Sequence, residues 1–434
     1  MDRRERDLTE LDDFHAAFDQ RAREREAARR ARRERRRGQR PARHGDQTSL
    51  AGSLAGRALI AIVAAMALAT AIGLIGLWPH GQKSHGETKG LGPTTTATVT
   101  QSSTGACPGA SGARCSYARI KVHGNASTLD LGPVNTAPSV SAGTTITVSR
   151  APLLRGAAGT AGAEPWEFVD IDRHGSLLLI AIALLLLAIL VIRWRGILAA
   201  VGVAISLLLI ATFLVPGILD GGPPLALALV TAMAVMFVTL VLTNGIGAQT
   251  LAAALGIGST LILTSILAMI AVHIAHINGR TDELSAYLET VNHGISLQGV
   301  VIAGMVIGAL GVLADTAVTQ ASAVMALRRT DPTLTPTGLY RAAFHVGRDH
   351  LSATIHTLVL AYVGASLPLL LITHATGIGL GDALNTQDIA EPVLATLIGC
   401  IGLVCAVPLT TGLASLLIAR VPTAALGHGH AHHH

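Results

Sequence analysis

GMVIGALGVLADTAVTQASAV, residues 304–324, and VGRDHLSATIHTLVLAYVGASLPLLL, residues 346–371, decide how this chain is read. Each is apolar and long enough to cross a bilayer, which takes roughly 20 residues of helix. Each also carries groups that a lipid-facing helix avoids: Asp315, Thr319 and Gln320 in the first, Arg348, Asp349, His350 and His356 in the second. Ionisable groups at such depth are tolerated where they face other helices, water or a passing solute. The pair therefore announces a membrane protein and marks where its function is to be sought.

The composition around these segments agrees. Half of the 434 residues are hydrophobic and 14% are charged, against about a quarter charged in soluble domains. Apolar runs fall at 176–192, 197–215, 225–242, 250–272, 299–318, 352–373 and 393–418, and another, 58–78, precedes them. No small-residue cleavage site follows 58–78, so it reads as an uncleaved anchor. The expected fold is an all-α polytopic membrane protein of about eight transmembrane helices, with a small extracytoplasmic β domain between the first and second. This division gives a basic arm at 1–57, the anchor at 58–78, the β domain at 79–174, a seven-helix membrane domain at 175–420 and a His-rich tail at 421–434.

Eight spans put both termini on one side. Arg193, Arg195, Arg328, Arg329, Arg341, Arg348 and Arg420 then share that side, and Arg280 is the lone basic residue in the opposite loops after the second span. The positive-inside bias makes the arginine-rich side cytoplasmic, and the plasma membrane the expected location.

Net charge is +5, and it resides in the arm: residues 1–57 hold 16 Lys and Arg against 11 Asp and Glu, the remainder 16 against 16. The arm, with a like-charge block from Arg29 to Arg40, reads as a largely disordered cytoplasmic tail that fixes topology and meets anionic lipid. No aromatic is interleaved with its arginines, which argues against nucleic-acid binding. Leu8, Leu11, Phe14 and Phe18 form one short amphipathic face for lipid or a partner helix.

Residues 79–174 are rich in Gly, Thr, Ser and Pro, with β-like runs at 117–122, 127–131 and 144–150 behind a flexible Gly/Thr leading segment. Cys107 and Cys115 fall in this domain, where an oxidising compartment favours a disulfide over two unlinked thiols. Cys400 and Cys405 lie in an apolar run and read as packing residues.

Gly308-Ala-Leu-Gly-Val-Leu-Ala-Asp315, Val318-Thr-Gln-Ala-Ser-Ala323, Gly347-Arg-Asp-His350, Thr357-Leu-Val-Leu-Ala-Tyr362 and Gly364-Ala-Ser-Leu-Pro368 together resemble the YibE/F-like family of bacterial multispanning proteins. The resemblance runs from about Trp166 and includes Phe237-Val-Thr-Leu and the Arg193-Trp-Arg-Gly turn. It implies a membrane fold and location, with transport as the usual supposition. The chain departs from the family at Ala314, where a second acid is usual, and at His356, where an Asn is usual. A mechanism that needs both acids is thereby put in question, and a titratable ring is added.

Gly304, Gly308, Gly311, Asp315, Thr319 and Ser322 recur at spacings of four and three, hence on one helix face. A small-residue packing seam accounts for the glycines; Asp315 is either a functional acid or half of a structural pair. With Arg348 and Asp349 at the mouth of the next span, and Asn244 and Gln249 in the break Thr243-Asn-Gly-Ile-Gly-Ala-Gln249, these residues predict a polar cluster near the cytoplasmic leaflet built from three helix ends. Asp315 and His356 could relay a proton in a coupled carrier; equally, Arg348 could neutralise Asp349 or Asp315 and leave His356 merely to cap a helix–helix hydrogen bond. Glycine breaks and Pro368 would permit the broken helices of transporters.

His273 and His276, at i and i+3 before Asp282, Glu283, Glu289 and His293, form a weaker metal candidate. The His-rich tail could chelate divalent metal on composition alone. No P-loop, G-x-S-x-G or HExxH is present, so no enzyme, no catalytic residue and no cofactor are expected. The expected function is a permease or transport component for an unknown small solute or ion, the transport-site candidates being Asp315, Thr319, Gln320, Arg348, Asp349, His356, Asn244 and Gln249. The alternative is a non-transporting scaffold or receptor whose exported domain binds a partner. Membrane lipid and the unknown solute or ion are the expected partners, nucleic acid is not expected, and homo-oligomerisation is left open.

Overall fold

The computed structural model describes residues 54–79, 94–107, 112–150, 166–280 and 294–420. The basic arm, the His-rich tail, Asp282, Glu283, Glu289 and His293 lie outside the described residues. Helix α1 (Leu54–Gly76) is followed by strands β1 (Thr94–Ala106), β2 (Arg114–Val122), β3 (Asn125–Pro133), β4 (Thr145–Arg150) and β5 (Trp166–Ile171). Then come α2 (His174–Ile192), α3 (Trp194–Leu209), a π-turn (Ile210–Leu214), α4 (Val215–Leu219), α5 (Pro224–Asn244) and α6 (Ala248–Ile274). The last are α7 (Leu297–Thr330), α8 (Pro336–Ala375), the short α9 (Leu380–Asn385) and α10 (Gln387–Ile418). Counting α3, the π-turn and α4 as one, eight helices among the described residues are long and apolar enough to cross a membrane. The chain is a multi-pass membrane protein.

Between the first and second spans, the strands form one antiparallel sheet in the order β3-β2-β1-β4-β5. Its edges β3 and β5 touch each other, so the sheet curls into a half-barrel. One face is buried: Ala97, Val99, Ala118, Ile120, Leu129, Ile146 and Val148 form its core. The Gly/Thr leading segment, expected to be flexible, contributes β1 at the centre of the sheet. Its run Thr94-Thr-Thr-Ala-Thr-Val alternates exposed and buried positions, and β-branched threonine suits a half-buried pleat. A disulfide joins Cys107 to Cys115 across the end of the β1–β2 hairpin, where Tyr117 Oη donates to the Ala106 carbonyl at 2.7 Å.

The membrane core is built on α6, α7 and α10, with α1, α5 and α8 packed around them. Without a hydrophobic drive between helices in lipid, close packing decides which helices associate. The α6–α10 contact shows how. A Cβ on Gly256 would meet Thr410 Oγ1 at 2.5 Å, and one on Gly402 would meet Thr264 Oγ1 at 2.6 Å. Each helix thus seats a threonine of its partner against a glycine backbone, eight residues apart in both chains of the pair. Thr264 Oγ1 and Thr410 Oγ1 are buried without a conventional hydrogen-bond partner; their oxygens face the glycine Cα–H, a weak acceptor geometry common where helices cross closely.

At the other extreme, α2 has no buried residue and meets the bundle through α3. The two form a tight hairpin at Arg193, whose φ is 59°. A Cβ on Gly196 would sit 2.6 Å from the Ala188 carbonyl oxygen, which accounts for glycine in the Arg193-Trp-Arg-Gly turn.

Two outcomes follow from this packing. Gly402→Leu should destabilise the bundle by about 2 kcal/mol, since no void receives the added carbons, and thermal unfolding of the purified protein in detergent reads it as a lowered Tm. Replacing Cys107 and Cys115 together by serine should cost the sheet about 2 kcal/mol for a loop this short, measured as earlier protease cleavage within residues 94–171 with the helices intact.

Candidate functional site

Five residues separate α7 from α8, so the two run antiparallel and positions equally far from the turn share a depth. Thr335 caps α8 by accepting from the Gly338 N–H at 3.1 Å, and Pro336 occupies the first helical turn, where a missing N–H costs nothing. Asp331 braces the turn through the Thr333 hydroxyl at 2.6 Å and N–H at 2.9 Å. These bonds, the hydroxyl foremost, hold the Asp331 carboxyl below its ordinary value. Arg328 clasps the turn from α7. Its Nη1 donates to the Pro332 and Leu334 carbonyls, and its Nη2 reaches the Ala419 carbonyl at 2.9 Å, beyond the end of α10. An arginine expected to act through charge alone thus also fastens three helices.

A buried polar junction lies deeper. Gln320 of α7 is 1% exposed, and its Oε1 accepts from Thr411 Oγ1 of α10 at 2.9 Å. On α8, Gly347 faces the same amide, and a Cβ there would meet Gln320 at 2.6 Å. Immediately beyond it a polar notch opens between α7, α8 and α10, lined by Asp315, Thr316, Thr319, Gln320, Gly347, His350, Leu351, Thr354 and Val407. Its volume is about 10 Å³, room for roughly one water.

The α8 stripe that closes this junction runs Leu339, Ala343, Gly347, then Leu358, the four buried residues of a 40-residue helix. Between Gly347 and Leu358 none is buried, and the notch occupies that gap. Asp315 itself is exposed, near the middle of the 34-residue α7. Among the described residues its carboxylate forms no ion pair, and Thr319 Oγ1 bonds the Asp315 carbonyl at 2.8 Å instead.

The structure therefore brings Asp315, Thr319 and Gln320 together, and the imidazole that joins them is His350. His356 is exposed and does not line the notch: two residues from Thr354, it is turned by about 200° around a helix of 3.6 residues per turn. Arg348 and Asp349 are likewise exposed and outside the lining, and they form no ion pair with one another or with Asp315 among the described residues. Gln249 donates to Ser322 Oγ at 2.5 Å, tying α6 to α7 two turns from Asp315. Asn244 bonds Thr243 beside Gly245, whose φ of 70° ends α5. The cluster is thus made from helix faces rather than three helix ends. His350 and Thr354 were missed as site residues, although their spacing from Gly347 places all three on one α8 face.

The glycine stripe of α7 is not a continuous seam. Gly304 and Gly311 face open space, and only Gly308 of the three is approached, by the Tyr362 hydroxyl at 2.7 Å from a Cβ position. Tyr362 bridges a gap that a closer backbone would have closed. Pro368 leaves α8 unbroken from Pro336 to Ala375. His273 and His276 are both exposed at the end of α6, and no group of three metal-ligating side chains occurs among the described residues. Cys400 and Cys405 are half-buried and free.

Comparison with curated proteins and with solved structures finds no match. The model of the YibE/F-like protein family matches residues 180–420, from within α2 to the end of the bundle, and takes in both sides of the notch. With more than half its length, all of its α6–α7–α10 core and α8 so matched, the chain belongs to the YibE/F-like family.

Proposed function

We propose that the chain is a plasma-membrane permease or transport component, non-enzymatic, in which a small solute or ion passes the notch between α7, α8 and α10. The observation that carries this reading is a carboxylate and an imidazole, Asp315 and His350, lining one small polar notch in the membrane-spanning part of two antiparallel helices. A mid-span carboxylate is costly in lipid and is retained where it meets water, a proton or a cation. Imidazole is the side chain suited to exchanging a proton in the physiological range. One water between the two would link them, while Thr319, Thr354 and Gln320 offer hydroxyl and amide ligands.

The notch is too small for a solute, so passage requires motion of α8. Of the three helices that line the notch, α8 has the fewest buried residues, four in forty. Arg193, Arg328, Arg329 and Arg420 lie at the helix ends opposite the sheet, with Arg341 and Arg348 further along α8 from the same end; the positive-inside bias makes that side cytoplasmic and both termini with it. A secondary or facilitated mechanism fits a chain without an ATP motif.

Proteoliposomes loaded with a pH-sensitive dye and energised by a potassium diffusion potential test this reading. Wild type should pass protons, and Asp315→Asn and His350→Ala should each slow the flux by about tenfold or more, whereas His356→Ala should match wild type. Equal flux in all four at equal incorporation overturns the relay and leaves the scaffold or receptor reading standing. Gly347→Leu should displace Gln320 and abolish flux, and Thr354→Cys in a chain lacking Cys400 and Cys405 should react with a membrane-impermeant maleimide as α8 moves to open the notch.

A further inference from the structure

A second cavity lies on the sheet side of the membrane, on helices that the notch does not use. Its volume is about 230 Å³, and it is walled by Leu77, Trp78, Pro79 and Leu227 with Asp220 among them. Its construction is specific. The α3 span switches to a π-turn at Ile210–Leu214, a local widening that concentrates at functional sites. The turn carries Phe213, which is fully buried and whose ring packs against Trp78 with centroids 5.7 Å apart. The indole is thereby held at the cavity wall by a ring fixed in the bundle.

Asp220 stands on a turn with little freedom. The Asp220 N–H donates to the Pro216 carbonyl, Gly221 N–H to Ile218, and Gly222 N–H to Gly217 at 3.0 Å, before Pro223 and Pro224 start α5. A Cβ on Gly222 would collide with the Gly217 carbonyl oxygen at 2.8 Å, and one on Gly217 with Leu227 at 2.8 Å. The tight turn therefore requires Gly222, while Gly217 leaves room for the Leu227 side chain. Among the described residues the Asp220 carboxylate forms neither a hydrogen bond nor an ion pair. A single carboxylate does not make a metal site, which needs several ligands. A carboxylate beside an indole, with apolar walls, suits an organic cation, which gains from both the charge and the ring face.

We propose that the Trp78–Asp220 cavity binds an ammonium group, either a free small amine or the amine headgroup of a phospholipid. This stands apart from the notch and does not rest on the transport reading. The test uses the full chain in phosphatidylglycerol nanodiscs, titrated with tetramethylammonium and with ethanolamine while tryptophan emission is followed; Trp78→Phe identifies the signal among the three tryptophans. A saturable change is expected, weakened about tenfold by Asp220→Asn, the size of one charge-assisted contact, and kept by Asp220→Glu. The neutral isostere of choline, with carbon in place of nitrogen, should give no response on the wild-type protein. Loss of the response in phosphatidylethanolamine nanodiscs assigns the cavity to a lipid headgroup; an unchanged response assigns it to a free amine. No saturable change in phosphatidylglycerol, or the same change with the neutral isostere or with Asp220→Asn, overturns the proposal.

Discussion

The contact between α6 and α10 is the constraint on which the bundle depends. In lipid, burying apolar side chains against one another yields little, so helices that must stay together need shapes that admit each other. Gly256 receives Thr410 and Gly402 receives Thr264, a reciprocal exchange that sets both the closeness and the register of the pair. Once α6 and α10 are fixed, α7 lies against both, and Gln320 can reach Thr411. The notch exists because α8 is then held against α7 and α10 at Leu339, Ala343, Gly347 and Leu358 and is not drawn in between. A polar interior arises from a packing rule, not from polar attraction.

The eight spans were legible because hydropathy needs no tertiary information: a run of apolar residues of sufficient length reads the same whatever it packs against. The half-barrel was half legible. Its β2, β3 and β4 announce themselves by alternation, whereas β1 hides in a threonine run and β5, Trp166–Ile171, in a short segment beside the membrane. The rotation of α8 could not be read from hydropathy. Its buried residues are too few to imprint a periodicity, and its outward face is as apolar as lipid allows, with Leu360, Leu367 and Leu371 exposed. The sequence therefore favours His356 as the deeper of the two, and the placement of Gly347 against Gln320 turns His350 to the notch instead.

The two sites differ in how they are held, and this bears on what each can do. Around the notch, the backbone of α8 is continuous and its side-chain anchoring sparse, so the lining can change by rigid displacement of one helix. Around Trp78 and Asp220, the supports are a buried aromatic ring behind the half-exposed indole and a hydrogen-bonded turn that two prolines follow. The first arrangement suits passage and the second retention. On the two proposals, passage would fall to the sparsely anchored helix and retention to the braced turn.

The reach of Arg328 has a consequence for how the chain is assembled. Its bond to Ala419 joins residues 91 apart, across two membrane crossings. While α7 and α8 are being made, that carbonyl has not yet been synthesised, and the guanidinium has only its own turn to hold. The bond that ties this hairpin to α10 forms only once the eighth span is in place. A bundle in which α10 fails to dock leaves Nη2 of Arg328 without its Ala419 acceptor, so the α7–α8 turn is tied to the rest of the bundle by the final crossing.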